Sequence, residues 1–305
     1  MKAKGVKFIY IKCLTYTSNS RPVLNFNGVK SNVVLLLIDA ENGIQMKLPA
    51  KPESTLDRDQ RKAWEAMVTL LRDTDQADQR YDALPESQNG RIVSTDIARY
   101  LDSRYANTPL GKVRDIQPSW DLAWRYAQDR FRRELGKRGK RNMVRFMAGG
   151  WAAGKTHALE HHQPPDLTWD GTLADAQWAA EMIDLALDHH WRVEIAYVFR
   201  DIELAFYGSV ERGKEEGRYV PLESLPKSHG DAQRSVRDLA FLYAEEQNVS
   251  FIMMHNLGTK NVPCEPKKLE IVDLAPSGAL YYSHSYESYY VQVAAEISKS
   301  SAQGR

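Results

Sequence analysis

The residues best suited to chemistry form a glycine-rich run, GGWAAGKT, at residues 149–156. The run matches the pattern G-x-x-x-x-G-K-[ST] of phosphate-binding loops, and it lies between an apolar run, MVRFMA, and a segment, THALEHH, that can open a helix. Glycines allow the backbone N–H groups of such a loop to surround a phosphate. We expect Lys155 to reach the β- and γ-phosphates of a nucleotide and the Thr156 hydroxyl to ligate Mg²⁺. The predicted nucleotide-binding residues are Gly149, Gly150, Trp151, Ala152, Ala153, Gly154, Lys155 and Thr156.

The loop predicts nucleotide binding but does not define the reaction, because motor ATPases, GTPases and small-molecule kinases all use it. A GTPase is expected to carry an N-K-x-D motif for reading the base, and the sequence has none. Trp151 is unusual at a loop position that small residues often occupy. Its indole could cover the nucleotide or a substrate, or pack on the preceding helix.

Composition limits the classes of partner. The 305 residues are 43% hydrophobic, and 41 Lys and Arg residues against 40 Asp and Glu residues give a net charge of +1. This balance gives no electrostatic argument for nucleic acid or an anionic membrane as the main partner. The two cysteines, Cys13 and Cys264, form neither a disulfide framework nor a zinc-ligand spacing, and no apolar run approaches the roughly 18 residues of a membrane span. We expect a soluble, cytoplasmic protein that binds neither nucleic acid nor membrane.

The loop must be positioned by the strands and helices around it. From residue 91 onward, short apolar runs alternate with helical patterns, and the predicted strands are RIVST, NMVRFMAG, DLTWDG, RVEIAYVF and VSFIMMHN. This order predicts an α/β fold of the P-loop NTPase type, with a parallel sheet flanked by helices. Apolar residues spaced by three and four positions between Ala176 and Leu187 predict a crossover helix.

The N-terminal part of the chain has a different character. Two β-rich runs, VKFIYIKCL and NVVLLLIDA, precede a polar helix, STLDRDQRKAWEAMVTLLRDT, for which Ser54 or Thr55 is the predicted N-cap. We therefore divide the chain into a small β-containing N-terminal extension of unknown role, residues 1–85, and a P-loop domain, residues 86–305. The sequence does not decide whether the extension inhibits, docks a partner or serves delivery.

The segment downstream of the loop resembles the zeta-toxin family of P-loop kinases. The resemblance rests on DGTL at residues 170–173, on VEIAYVFRDIELA as a strand with its following helix, and on RGKEEGRYVP at residues 212–221. Together with the loop it covers roughly residues 91–258. The resemblance implies that residues 86–305 form a kinase domain of this type.

The resemblance also assigns roles to single residues. It implies that Lys155 is the family's phosphate-loop lysine and Thr156 its magnesium-binding hydroxyl. Arg212 and Arg218 correspond to arginines of the family's lid, which close over ATP and neutralise charge on the transferring phosphoryl group; an ordinary surface ion pair is the alternative for both. Asn256, at the end of the last core strand, is either a nucleotide contact or a turn residue.

A carboxylate that orients or deprotonates the acceptor hydroxyl is missing from the place where the family carries it, a strand directly after the phosphate-loop helix. The upstream segment GRIVSTDIARYLDSRYANTP has the expected form, with Asp96 closing a strand and Arg99 three positions later. We predict that Asp96 is the catalytic carboxylate, on a strand that precedes the phosphate-loop strand in sequence but lies beside it in the sheet. Two alternatives remain: Asp96 could cap its helix, and Asp170 could be the base or a magnesium partner.

These residues predict a kinase that uses ATP and Mg²⁺ and transfers the γ-phosphoryl group to a hydroxyl of a small, nucleotide-linked metabolite. The resemblance implies UDP-N-acetylglucosamine as acceptor, action as a toxin and an antitoxin protein as partner; a dinucleotide or a nucleic-acid end stays open as acceptor. An ATPase without an acceptor and a nucleotide-dependent protein-interaction module are the alternatives.

Overall fold

A computed structural model describes residues 48, 56–102, 105, 119–137, 143–159, 162–216, 220, 224–259, 265 and 267–268. The two N-terminal β-rich runs, the candidate caps Ser54 and Thr55, and Arg218 lie outside the described residues. The described residues belong to one compact unit, Gln45–Arg305.

A single sheet organises the described part of the chain. Its six strands are β1 (Ile92–Val93), β2 (Met143–Ala148), β3 (Leu167–Asp170), β4 (Arg192–Phe199), β5 (Val249–His255) and β6 (Lys267–Lys268). Their order across the sheet is β1-β3-β2-β4-β5-β6, and every pair is parallel except β5 with β6. The predicted α/β fold with a parallel sheet is confirmed, and each of the five predicted strands is present.

Strand β1 joins the same sheet as the phosphate-loop strand β2, but at a different place from the predicted one. β3 lies between them, since β1 pairs with β3 through Ile92 and Thr168 while β2 pairs with β3 through Val144 and Leu167. The prediction that β1 is the direct neighbour of β2 is therefore wrong. Because parallel strands run in the same direction, the segment after β1 still emerges at the edge of the sheet that carries the phosphate loop.

Helices surround the sheet. Among the described residues, the α-helices are α1 (Arg58–Arg72), α2 (Thr74–Asp82), α3 (Thr95–Ala98), α4 (Trp120–Gly136), α5 (Lys155–Ala158), α6 (Ala176–Asp188), α7 (Ile202–Glu216) and α8 (Ser224–Leu242). α6 is the predicted crossover helix, and its apolar stripe is buried. Within the described residues, no helix is long and apolar enough to cross a membrane.

The N-cap of α1 corrects the sequence prediction. The helix begins at Arg58, and Asp57 caps it: the Asp57 carboxylate accepts hydrogen bonds from the backbone N–H groups of Asp59 and Gln60, both at 2.8 Å. The Gln60 side chain accepts in return from the Asp57 N–H at 3.0 Å. This reciprocal pair forms a capping box, which satisfies donors at the helix start more completely than a single hydroxyl would.

Alternation along the strands builds an apolar core on each face of the sheet. In β4, Ile195 and Tyr197 belong to the larger cluster, and Ala196 and Val198 belong to a smaller one beneath the phosphate loop. The larger cluster also contains Leu71 and other side chains of α1 and α2. These two helices therefore share the core of the sheet, while the division of the chain at residue 85 stays a prediction.

Candidate active site

The phosphate loop leaves β2 and leads directly into α5. Gly149 has φ 134° and Gly154 has φ 75°, a region of backbone conformation that favours glycine. A Cβ atom at Gly149 would lie 2.5 Å from the carbonyl oxygen of Val198, and one at Gly154 would lie 2.3 Å from Nδ2 of Asn256. The two glycines are thus required both by backbone conformation and by the neighbours packed against the loop.

Electrostatic interactions connect Lys155 with three other predicted catalytic residues. Lys155 Nζ lies 3.4 Å from the carbonyl oxygen of Gly149. Burial lowers the pKa of Lys155, the negative charges of Asp170 and Asp96 oppose this decrease, and the positive charge of Arg212 adds to it. The structure therefore brings Asp96, Asp170 and Arg212 within electrostatic reach of the phosphate-loop lysine.

Each charged residue comes to this site on a different element. Asp170 is the last residue of β3, the strand that directly follows the phosphate-loop helix α5, so the expectation that no carboxylate stands at this place is wrong. Asp96 lies in the first turn of α3 after β1, and Arg212 is exposed on α7. Thr156 follows Lys155 in α5 and is also exposed. The carboxyl ends of neighbouring parallel strands meet at one edge of the sheet, which is where α/β proteins bind ligands.

The capping alternative for Asp96 is wrong. Ser94 caps α3, because its Oγ accepts a hydrogen bond from the Asp96 N–H at 3.2 Å. The Asp96 carboxylate instead pairs with the Arg99 guanidinium at 2.6 Å, and the Arg99 side chain is only 9% exposed whereas that of Asp96 is 49% exposed. Arg99 also lies against the Tyr105 ring, 6.0 Å from its centre. A buried arginine therefore orients a carboxylate that is open to solvent.

Asn256 makes two hydrogen bonds within the protein, one of them in the turn after β5. It is buried, its Nδ2 donates to the carbonyl oxygen of Ala153 at 2.9 Å, and its Oδ1 accepts from the Gly258 N–H at 3.1 Å. The side chain holds the phosphate loop and the turn after β5 together, and the nucleotide contact of Asn256 stays a prediction. Trp151 is 37% exposed.

Three residues of the site were missed by the sequence analysis. Arg200 donates to the carbonyl oxygen of Ala152 at 3.0 Å, His229 lies 2.8 Å from the carbonyl oxygen of Trp151, and Ser228 Oγ accepts from the Trp151 N–H at 3.1 Å. Arg200 had a usable signal, because a charged residue directly after a buried strand lies at the ligand-binding edge. Ser228 and His229 had none, since they lie on α8, far from the loop in sequence.

The His229 ring is neutral at pH 7. Burial lowers its pKa to about 4; the hydrogen bond with Trp151 opposes the decrease, and the charges of Lys155 and Arg200 add to it. Because a carbonyl oxygen only accepts hydrogen bonds, the proton of the neutral ring resides on Nε2.

The residues of the phosphate loop, together with Asp170, are of the types that bind a nucleotide and its magnesium ion. Lys155 and the loop N–H groups suit phosphate oxygens, and magnesium in phosphoryl-transfer sites takes one or two protein ligands in addition to phosphate oxygens and water. Thr156 and Asp170 are of the right chemical type and lie beside the loop.

Comparison with known proteins agrees with the sequence resemblance. No curated protein matches the chain. A solved structure from work on the PezAT chromosomal toxin-antitoxin system of the human pathogen Streptococcus pneumoniae is 12% identical, with a TM-score of 0.33; the match covers 57% of this chain and 58%, less than two thirds, of that chain. The family model of zeta toxins matches residues 157–257, from just after the phosphate loop to the turn after β5. The match confirms the resemblance over residues 157–257.

Proposed function

We propose that the protein is an ATP- and Mg²⁺-dependent kinase of the zeta-toxin type, which transfers the γ-phosphoryl group to a hydroxyl of a small, nucleotide-linked metabolite such as UDP-N-acetylglucosamine. The family match supports a kinase-like toxin role. The observation that carries the proposal is that Asp96, Asp170 and Arg212 lie close enough to Lys155 to shift its pKa: the two carboxylates raise it, and Arg212 lowers it. Phosphate binding alone requires the lysine, whereas transfer to a hydroxyl also requires a carboxylate for the acceptor and a cation for the transferring group.

Bound Mg-ATP supplies the phosphoryl group and neutralises part of its charge. In the proposal, Lys155 and the loop N–H groups bind the phosphates and Thr156 binds the metal. Burial of the Lys155 ammonium group strengthens its attraction for phosphate, because fewer water molecules screen the charge.

Asp96 is the proposed acceptor carboxylate. Its side chain is half exposed, so a hydroxyl can approach it, and the ion pair with Arg99 fixes its orientation. Asp170, which is also close to Lys155, is the proposed magnesium partner, with the base role as its alternative. Arg212 and Arg218 are the proposed lid arginines that neutralise the transferring group, since guanidinium groups can donate two parallel hydrogen bonds to phosphate oxygens.

The test is mass spectrometry of wild-type protein incubated with Mg-ATP and a pool of nucleotide sugars, dinucleotides, oligonucleotides and cell extract. We expect a new metabolite about 80 Da heavier than its precursor, the mass that phosphoryl transfer adds. Lys155→Ala is expected to lose ATP binding and product, and Asp96→Asn to lose product while ATP binding persists. Asp188→Asn, an exposed aspartate at the end of α6, is the matched control and is expected to retain product.

Other outcomes select the alternatives. ATP hydrolysis without a heavier metabolite would point to an ATPase. ATP binding without turnover, together with capture of a partner protein that depends on Lys155 but not on Asp96, would point to an interaction module. The proposed toxin role also predicts an antitoxin protein that blocks the ATP site, and its co-purification with the chain would identify it.

A further inference from the structure

Three consecutive carbonyl groups of the phosphate loop are held by side chains from outside the loop. The carbonyl oxygens of Trp151, Ala152 and Ala153 lie 2.8, 3.0 and 2.9 Å from donor nitrogens. The donors come from three separate elements: His229 on α8, Arg200 after β4 and Asn256 after β5. We call these three side chains the loop clamp.

Because each peptide group is planar, holding these carbonyl groups also fixes the direction of the N–H groups that follow them in the chain. In a planar trans peptide, the C=O of one residue and the N–H of the next point in opposite directions. Holding the carbonyls of residues 151, 152 and 153 outward therefore directs the N–H groups of residues 152, 153 and 154 inward. The Ala153 N–H then closes a turn with the carbonyl oxygen of Gly150 at 3.2 Å. By the same geometry, the N–H groups of Ala152 and Gly154 point away from the side chains of the clamp.

His229 makes the closest contact within the clamp. It is 3% exposed, and a Cβ atom at Gly150 would lie 2.0 Å from its ring carbon Cδ2. The residue before it, Ser228, accepts a hydrogen bond from the Trp151 N–H. Two adjacent residues of α8 thus hold both polar backbone groups of Trp151, and Gly150 provides the space that the imidazole needs.

We propose that His229 is a positioning residue for phosphate binding: as a neutral Nε2–H donor it holds the Trp151 carbonyl outward, so that the loop N–H groups face the phosphates before a nucleotide arrives. The neutral ring suits this task because Lys155 and Arg200 already carry positive charge nearby. This inference rests on the nucleotide binding in the proposed function but not on phosphoryl transfer.

The experiment compares dissociation constants for ATP and for inorganic tripolyphosphate in the wild type and two variants. His229→Leu removes the donor and keeps most of the volume, and His229→Gln retains an N–H donor at a similar distance from the backbone. We expect the Leu variant to bind both ligands about tenfold more weakly and the Gln variant to recover most of the affinity, since one oriented hydrogen bond has a value of this order. The exposed His189, replaced by Leu, is the control and is expected to bind as the wild type.

Thermal unfolding separates a loss of positioning from a loss of the fold. A folded His229→Leu variant with wild-type affinity for both ligands would overturn the inference, as would equal weakening in the Leu and Gln variants. If the Leu variant does not fold, His229→Met tests the loss of the same donor, and unchanged affinity there overturns the inference instead.

The outcomes also distinguish this inference from the kinase proposal. Binding that depends on His229, in a protein that yields no heavier metabolite, retains the inference and overturns the kinase. Product formation with binding that is independent of His229 does the reverse, and a wild type that binds neither ATP nor tripolyphosphate overturns both.

Discussion

Lowering the pH from 7.5 to 5.0 is expected to destabilise the folded protein through His229. Burial, together with the charges of Lys155 and Arg200, lowers the pKa of this residue from an ordinary 6.5 to about 4 in the folded state. Below pH 6.5 the unfolded chain therefore binds a proton that the folded chain does not bind. The stability contributed by the neutral ring is present above the unfolded pKa and is lost progressively as the pH falls from 6.5 towards 4.

The size of the effect follows from the shift. Across the whole interval the change from 6.5 to about 4 corresponds to about 3 kcal/mol of unfolding free energy. At pH 5 the unfolded histidine is almost fully protonated and the folded one is mostly neutral, so about 2 kcal/mol of that total is already lost.

Urea unfolding at the two pH values measures this loss, and the His229→Gln variant isolates it because glutamine does not titrate. Carboxylates that titrate near pH 5 affect both proteins and cancel in the comparison. We expect the wild type to lose about 2 kcal/mol more than the variant between pH 7.5 and 5.0. His189→Gln, at an exposed position, is expected to follow the wild type. Equal losses in the wild type and His229→Gln would refute the reasoning.

Two further predictions concern the scaffold. Asp57→Ala removes the capping contacts of α1 and is expected to reduce the unfolding free energy by about 1 kcal/mol, with Asp59→Ala as the nearby control; an unchanged urea midpoint would contradict the role of the cap. Glu194→Leu leaves the buried Arg145 guanidinium without its ion-pair partner and is expected to reduce the unfolding free energy by about 3–5 kcal/mol. The double variant Arg145→Met with Glu194→Leu removes both charges and is expected to recover much of that stability. An equal loss in the single and double variants would show that the ion pair is not the cause.

The strands and the loop could be predicted from the sequence because their signals are local. Each of the five predicted strands is a short apolar run, and the phosphate loop needs Gly149 and Gly154 for backbone reasons that hold in any protein. The neighbours of β1 could not be predicted in the same way. Pairing of β1 with β3 instead of β2 depends on contacts between segments that are distant in sequence, and a two-residue strand carries no pattern that selects its partner.

The sequence by itself determined which residues could do chemistry. They are the phosphate loop with its lysine and threonine and, through the family resemblance, Asp96, Asp170 and Arg212. Only the tertiary structure decided that these charges reach Lys155 and that Arg200, His229 and Asn256 hold the loop. The physical reason is that the backbone freedom of glycine and the charge of lysine can be recognised from a few consecutive residues. A hydrogen bond between α8 and the loop, by contrast, exists only when folding brings together two segments almost eighty residues apart.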